Sequence, residues 1–337
     1  MNTNKKIKSR KILLGTFLII ICLFLSSCGE KEEEKVYQVG VLWTGGEFLG
    51  DILGAFKEKM TELGYIEDKN IVYDVYMAPL PVGNEQVVQK YVDEKVDLIF
   101  SFATEAAIEA KAVAEGSGIP VVFTCAFIEG TGLVESVSNP GGSITGVRYP
   151  TTESATGRLE FLHEVAPQAK RIWVPYLKDY PTTSPQIEAI RPLALELGLT
   201  LIGEPFATPQ EVKDYIDELA ASDDIVIDAI LMLAEPFSVT PEVTDVVYKF
   251  ADEHKLPISS FMVLKEAYGP IIGFHPTNTK MGSLAAIQAD KVLRGNPAGT
   301  LPVFTSDNDL RINYKLTQKL GLNVSEGLLS RADKIIR

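Results

Sequence analysis

Apolar and polar positions along this chain fall into short β-like runs separated by helix-like stretches. Tyr37 to Leu42 (YQVGVL) is an apolar, β-rich run. A turn-rich loop and a helical stretch follow, ending in Glu62-Leu63-Gly64. Glycine just past the last periodic residue predicts a helix stop, because it enters the left-handed region cheaply. Further strands are predicted at Ile71 to Tyr76, at Val96 to Phe100, and in the run opened by Ile119-Pro120-Val121-Val122-Phe123. The same order then recurs. Arg171 to Tyr176 (RIWVPY) opens it and Glu196-Leu197-Gly198 closes the helix. Leu199 to Pro205, Ile227 to Leu231, and Leu256-Pro257-Ile258-Ser259 supply the remaining strands. Equivalent points lie 134, 134, 131 and 137 positions apart.

Strands that alternate with helices predict parallel βαβ units with sheets buried on both faces. A repeat of this length predicts two such units. The expected fold class is therefore α/β: two similar doubly wound parallel-sheet lobes with a cleft between them. Chance likeness among generic α/β units is the competing explanation. Lobe 1 is expected over 36–148 plus about 276–304, and lobe 2 over 152–270. Residues 305–337 have no clear lobe. Chain crossings are expected near Val147 to Thr151, near Gly269 to Pro276, and near Thr305. A helix from about Asn278 to Arg294 should pack on lobe 1.

Residues 1–35 do not fit this pattern. Residues 1–11 carry five cations and no acid, and an apolar run from Ile12 to Leu25 follows. That combination predicts a secretory signal peptide over residues 1–27. The run ends in Leu25-Ser26-Ser27-Cys28. This segment resembles the bacterial lipobox, which implies cleavage before Cys28 and lipidation of its sulfur. An uncleaved N-terminal anchor is the alternative. Residues 28–35 form a charged tether too polar to join a core. Either way the folded part is expected outside the cytoplasmic membrane.

Composition narrows the partners. The 337 residues are 46% hydrophobic and 23% charged, enough for a sizeable core. The net charge is −13, and removal of residues 1–27 would take it to about −18. So acidic a chain argues against nucleic acid, which needs clustered Lys and Arg. After processing, Cys125 would be the one unmodified cysteine, so no internal disulfide is expected.

Ligands of open parallel sheets sit beyond the carboxyl ends of the strands, near helix N-termini. The repeat therefore selects six loops: 43–47, 101–105 and 124–127 in lobe 1, and 177–183, 234–238 and 259–263 in lobe 2. From them come the candidate ligand-binding residues. Trp43 offers a stacking face, and Thr44, Ser101, Thr104 and Thr124 offer hydroxyls. Glu235 offers a carboxylate for a ligand cation. Phe127, Phe237 and Phe261, with Ser260 beside them, could form an apolar box. Arg148 at the first crossing could hold a carboxylate, and His275 at the second could touch ligand. Each has a plain alternative: helix caps for the hydroxyls, core packing for the rings, and a solvated loop or helix-start acid for Glu235. For Arg148 and His275 the alternatives are a hinge salt bridge and a hinge hydrogen bond.

No phosphate-loop, dinucleotide or nucleophile-elbow motif occurs. His163, His254 and His275 lack ligand spacing, and Cys125 lacks a partner, so no metal, cofactor or catalytic residue is expected.

A lipoprotein signal followed by two α/β lobes resembles the solute-binding protein of an ATP-driven importer. The segments KEKMTELGYIEDKNI, YVDEKVDLIFSFATEAA, GIPVVFTCAFIEGTGLVESVSNPGGSITGV and TQKLGL sharpen the likeness. They resemble the family of ABC transporter substrate-binding lipoproteins that includes tryptophan- and tyrosine-binding members. The resemblance covers residues 37–337 and is most specific over Gly118 to Val147. It implies a type I periplasmic-binding-protein-like fold. It also implies a monomeric receptor that closes over a small organic molecule and delivers it to a membrane permease. Three places depart from the family pattern: Ala234-Glu235-Pro236-Phe237, Ser259-Ser260-Phe261-Met262 and Gly273-Phe274-His275-Pro276. They point away from an ordinary zwitterionic amino acid, toward a more apolar or differently charged ligand. Two other outputs fit the same architecture. One is a ligand-sensing lipoprotein coupled to a membrane signalling protein. The other is an extracytoplasmic enzyme using Glu235 as acid or base.

Overall fold

The computed structural model describes residues 35–44, 49–78, 85–222, 225–263 and 265–337. The signal peptide, Cys28 and most of the tether lie outside the described residues, as does 45–48 of the first loop.

The chain opens with β1 (Tyr37–Trp43), α1 (Gly50–Glu62), β2 (Ile71–Met77), α2 (Glu85–Asp93) and β3 (Leu98–Phe102). It continues with α3 (Thr104–Ala114), β4 (Val121–Ala126) and β5 (Ile144–Arg148). The second run is α4 (Thr151–Val165), β6 (Arg171–Leu177), α5 (Thr183–Glu196), β7 (Thr200–Phe206), α6 (Pro209–Ala221) and β8 (Ala229–Leu231). A 3-10 turn (Pro236–Ser238), α7 (Pro241–His254), β9 (Ile258–Ser260) and β10 (Ile272–His275) follow. The chain closes with α8 (Asn278–Leu293), β11 (Phe304–Thr305), β12 (Asp309–Asn313), α9 (Tyr314–Lys319), α10 (Glu326–Arg331) and β13 (Lys334–Ile336).

Two sheets result. The first has the order β11-β5-β4-β3-β1-β2, the second β13-β12-β10-β9-β8-β6-β7. Of the pairings with a described register, all are parallel except β10 with β12. The expected α/β class with two parallel-sheet lobes is what the chain adopts. The second sheet reaches further than 270, taking in β10, and it draws β12 and β13 from the C-terminal segment. Helix α8 starts and ends within a residue of the expected span and packs on α1. A Cβ at Gly282 would come within 2.2 Å of the Ile52 carbonyl, so only glycine lets the two helices approach this closely.

The repeat is visible in hydrogen bonds as well as in sequence. Gly64 and Gly198 both have positive φ. At the first, Tyr65 N–H donates to the Met60 carbonyl at 2.9 Å and Gly64 N–H to Thr61 at 3.0 Å. At the second, Leu199 N–H donates to Ala194 at 2.8 Å and Gly198 N–H to Leu195 at 3.2 Å. Both are Schellman closures. Likewise Asp97 and Asp228 each accept from backbone amides at the start of their lobe's first strand. Asp97 takes Gln38 N–H at 2.8 Å, and Asp228 takes Arg171 N–H at 2.8 Å.

Each sheet is covered on both faces. Leu42, Ile99, Val121 and Phe123 form one core with α2 and α3 residues in the first lobe. In the second, Trp173, Ile230 and Ile258 pack on one side, and Ile172, Val174 and Leu231 on the other. Continuous burial along β1, β3 and β4 explains their unalternated sequences.

Candidate functional site

A cavity of about 210 Å³ lies where the strand ends of the two lobes face each other. Thr44, Thr104, Glu105, Cys125 and Phe127 line it from the first lobe. Tyr180, Glu235, Val239, Phe261 and His275 line it from the second. Tyr149 at the first crossing, and Asn278 and Met281 at the head of α8, complete the wall. Two contacts hold the lobes together beside it. The Tyr180 hydroxyl donates to Glu105 Oε1 at 2.9 Å. A Cβ at Gly130 would sit 3.2 Å from the Pro181 carbonyl, which shows how near the two rims lie.

Six of the twelve expected ligand-binding residues reach this cavity: Thr44, Thr104, Phe127, Glu235, Phe261 and His275. The other six lie elsewhere, for local reasons. Trp43 and Thr44 point to opposite sides of their strand end. Trp43 packs on Phe102, ring centroids 5.1 Å apart, while Thr44 lines the cavity. β3 runs two residues beyond its expected end, so Ser101 is a buried strand residue. The Thr124 hydroxyl donates to the Met281 carbonyl at 3.2 Å and ties β4 to α8. Arg148 is taken by Glu129 at 2.8 Å, by Glu153, and by the Thr305 hydroxyl at 2.9 Å. Phe237 belongs to the second lobe's core. Ser260 is buried in β9, one residue before the wall.

Sequence reasoning did not single out Glu105, Cys125, Tyr149 or Tyr180. All four sit in the expected loops or at the expected first crossing, so their positions were readable but their orientation was not. Met262 lies in an expected loop and in one of the family departures, while Leu49 and Met281 had no signal beyond hydrophobicity.

The wall is mostly apolar, with a few polar atoms at fixed places. Phe127 meets Tyr149 edge-on at 5.2 Å, and Phe261 meets His275 edge-on at 6.1 Å. The Thr104 hydroxyl accepts from Phe127 N–H at 3.1 Å and fixes that ring's loop. Glu235 opens the 3-10 turn: Oε2 accepts from Phe237 N–H at 3.0 Å. Its loop is braced from behind. Gln186 accepts from Ala234 N–H at 2.9 Å, donates to the Ala234 carbonyl at 3.1 Å, and accepts from Arg158 Nη2 at 3.0 Å.

Burial governs the ionisation of these groups. It pushes the Glu235 carboxyl up to about 8, against the Phe237 and Leu177 amides, which favour the charged form. It holds the His275 imidazole down at about 3, helped by Arg311 and Arg158 and opposed by the Pro276 carbonyl. It pushes the Cys125 thiol up to about 12, with Glu105 adding to the effect. At neutral pH the empty cavity thus holds a largely protonated Glu235, a neutral His275 and an unreactive thiol. Glu235 Oε1, His275 Nε2 and the Thr44 hydroxyl are buried without a hydrogen-bond partner of normal geometry among the described residues. Buried polar atoms left in this state are suited to a ligand that satisfies them.

Two parallel-sheet lobes meeting over a largely apolar cavity define a two-lobed small-molecule-binding protein. The chain belongs to the ABC transporter substrate binding protein family, matched over residues 45–336. This is a family of binding proteins rather than enzymes. The chain is 26% identical over 174 residues to a tyrosine-binding protein of Clostridioides difficile strain R20291. That match takes in 51% of this chain and spans about half the relative's length, 49%. Two solved structures share the fold. One is an ABC domain in complex with L-Trp from Streptococcus pneumoniae, TM-score 0.73 and 21% identical, covering 90% of this chain and all of that one. The other is a ligand-free, open substrate binding protein with adhesive properties from Clostridium difficile. It has a TM-score of 0.71 and is 24% identical, covering 89% of this chain and 99% of that one.

Proposed function

We propose that this protein is the lipid-anchored, extracytoplasmic receptor of an ABC importer, and that it closes over a small organic ligand with an aromatic or apolar body. The observation that carries the ligand reading is the cavity itself. Loops from both lobes build it, rings and aliphatic side chains make most of its wall, and four buried polar atoms on it, of Thr44, Tyr149, Glu235 and His275, lack partners of normal geometry. A ligand that touches both lobes favours the closed arrangement, which is how binding becomes a signal to a permease. Family membership supports the importer role. The C. difficile tyrosine-binding relative and the L-Trp-bound neighbour support a ring-bearing ligand. The anchor reading rests on Leu25-Ser26-Ser27-Cys28 and the basic, apolar segment before it.

The test is to purify the protein from its native membrane in detergent and extract it for mass spectrometry. A diacylglyceryl Cys28 at the N-terminus and a stoichiometric small molecule are expected. The extracted compound should raise the melting temperature of ligand-stripped protein. An unmodified N-terminus would overturn the anchor. No extracted compound, with no melting shift across amino acids, amines and aromatic acids, would overturn the receptor reading.

A further inference from the structure

The charge of the cavity is one-sided. Its described lining carries two carboxylates, Glu105 and Glu235, and no Lys or Arg. Neither neighbouring arginine lines the cavity, although Arg158 lies behind Tyr149 and keeps its Nε without a partner. Arg148 pairs with Glu129 and Glu153, and fully buried Arg158 donates to the Phe274 carbonyl at 3.3 Å and to Gln186.

A ligand carboxylate would find the helix N-termini occupied too. The first turn of α3 carries Glu105, the 3-10 turn is capped by Glu235 itself, and at α8 the Thr277 hydroxyl accepts from Lys280 N–H. Each start already holds an acid or a cap of its own. The cavity also leaves acceptors unsatisfied, beside the Tyr149 and Thr44 hydroxyls, which can donate as well. Glu235 Oε1, the Thr44 hydroxyl and His275 Nε2 can all accept, and Glu235 can supply a full negative charge.

From this geometry we infer that the ligand is an organic amine. Its single ammonium pairs with Glu235, its body is aromatic or apolar, and it carries no carboxylate. The inference rests on the receptor reading above and fixes the charge type of the ligand. A buried ion pair is stable where both partners are fully hydrogen-bonded, and the Thr44 and His275 acceptors serve the remaining ammonium protons. Phe127, Tyr149 and Phe261 present ring surface to the same space, which favours a cation. Binding displaces the proton that Glu235 holds in the empty cavity.

The experiment is calorimetry on the full, processed chain at pH 8. Phenethylamine, tyramine and tryptamine are compared with L-phenylalanine, L-tyrosine and L-tryptophan. The best amine should bind at least about tenfold tighter than its amino acid, since the amino acid must bury an unpaired carboxylate. Glu235→Gln keeps the acceptor for Phe237 N–H and removes the charge. It should weaken the amine at least about tenfold. Should that variant not fold, a pH series on the natural chain takes its place. Amine affinity should fall toward about tenfold per unit as pH drops from 8 to 6. Tyr180, Cys125, His275 and Glu105 face the same space, with Arg158 behind the loop. Tyr180 and Cys125 stay protonated and His275 stays neutral over that range, which leaves Glu235 as the group that responds. Amino acids binding as tightly as amines, or no pH dependence for amines, would overturn the inference and leave the receptor reading standing. Neither series binding would overturn it as well. The receptor reading would then be judged by the extracted compound alone.

Discussion

The two lobes share a scaffold and differ in how their cleft walls use polar groups. In the first lobe two of the hydroxyls near the cleft are spent on structure, while Thr44 and Ser101 are not. Thr124 holds α8, Thr104 holds the Phe127 loop, and Arg148 is tied into acids around the first crossing. In the second lobe the Tyr180 and Thr240 hydroxyls are spent too, but the two most buried titratable groups each keep one atom unspent. Glu235 keeps an unpartnered oxygen and His275 an unpartnered nitrogen, and both are almost fully buried. A duplicated framework can therefore divide its tasks unevenly: both walls meet the ligand, and the buried titratable groups with an unspent atom sit on the second.

The sharpest way to break this comparison is through pH. Burial raises the Glu235 carboxyl from 4.5 to about 8, so the folded chain holds a proton that the unfolded chain releases. Its contribution to stability is whole below 4.5 and is lost as pH rises through 8, by up to about 4–5 kcal/mol. His275 works in the opposite direction. Its imidazole falls from 6.5 to about 3, so stability is whole above 6.5 and is lost as pH falls through 3. From these two groups alone the empty protein is most stable between 4.5 and 6.5. Denaturant titrations from pH 4 to 9 should show the decline on the alkaline side. Glu235→Gln should abolish that decline, and a parallel decline in the variant would remove Glu235 as its source.

Gln186→Leu tests whether the second wall depends on its backing. The change strands the Ala234 N–H, the Ala234 carbonyl and one nitrogen of the fully buried Arg158. A loss of about 3 kcal/mol is expected, with weaker ligand binding because the Glu235 loop loses its brace. Tyr180→Phe is milder. It removes the hydrogen bond to Glu105 that joins the two walls. About 1–2 kcal/mol of closure should go, roughly a 5- to 30-fold shift toward open forms. Small-angle scattering of the empty protein should register a larger radius. An unchanged radius would mean that the rim near Gly130 and Pro181 holds the lobes without Tyr180.

Much of the scaffold was legible in the sequence, because burial on both faces and helix-stop glycines leave plain marks. Gly64 and Gly198 close their helices with the same pair of hydrogen bonds, at the spacing the repeat predicts. The site was half legible. Loops could be placed, but which side chain turns inward depends on a shift of one or two residues in where a strand ends. Ser101 missed the wall because β3 continues to Phe102, and Trp43 missed it because the next residue, Thr44, faces the cavity. The cross-lobe Tyr180–Glu105 contact joins residues 75 positions apart in different repeats, and no local pattern announces it. Glu235 stood out because it broke a family pattern, although its burial could not be read from the sequence.

The mildest change asks whether the seat of α8 on β4 is purely structural. Thr124→Val keeps the side chain's shape and removes its hydroxyl, which donates to the Met281 carbonyl. That carbonyl lies in the first turn of α8, where the helix's own amides can still serve it, so no buried acceptor is stranded. The cost should be that of one net hydrogen bond, about 1 kcal/mol, seen as a lower denaturation midpoint with an unchanged slope. The affinity ranking of amines and amino acids should not move, because Thr124 does not line the cavity. A change in ranking without a change in stability would reverse the assignment. It would mean that the seat of α8 on β4 tunes the cavity, and that the first lobe selects as well as supports.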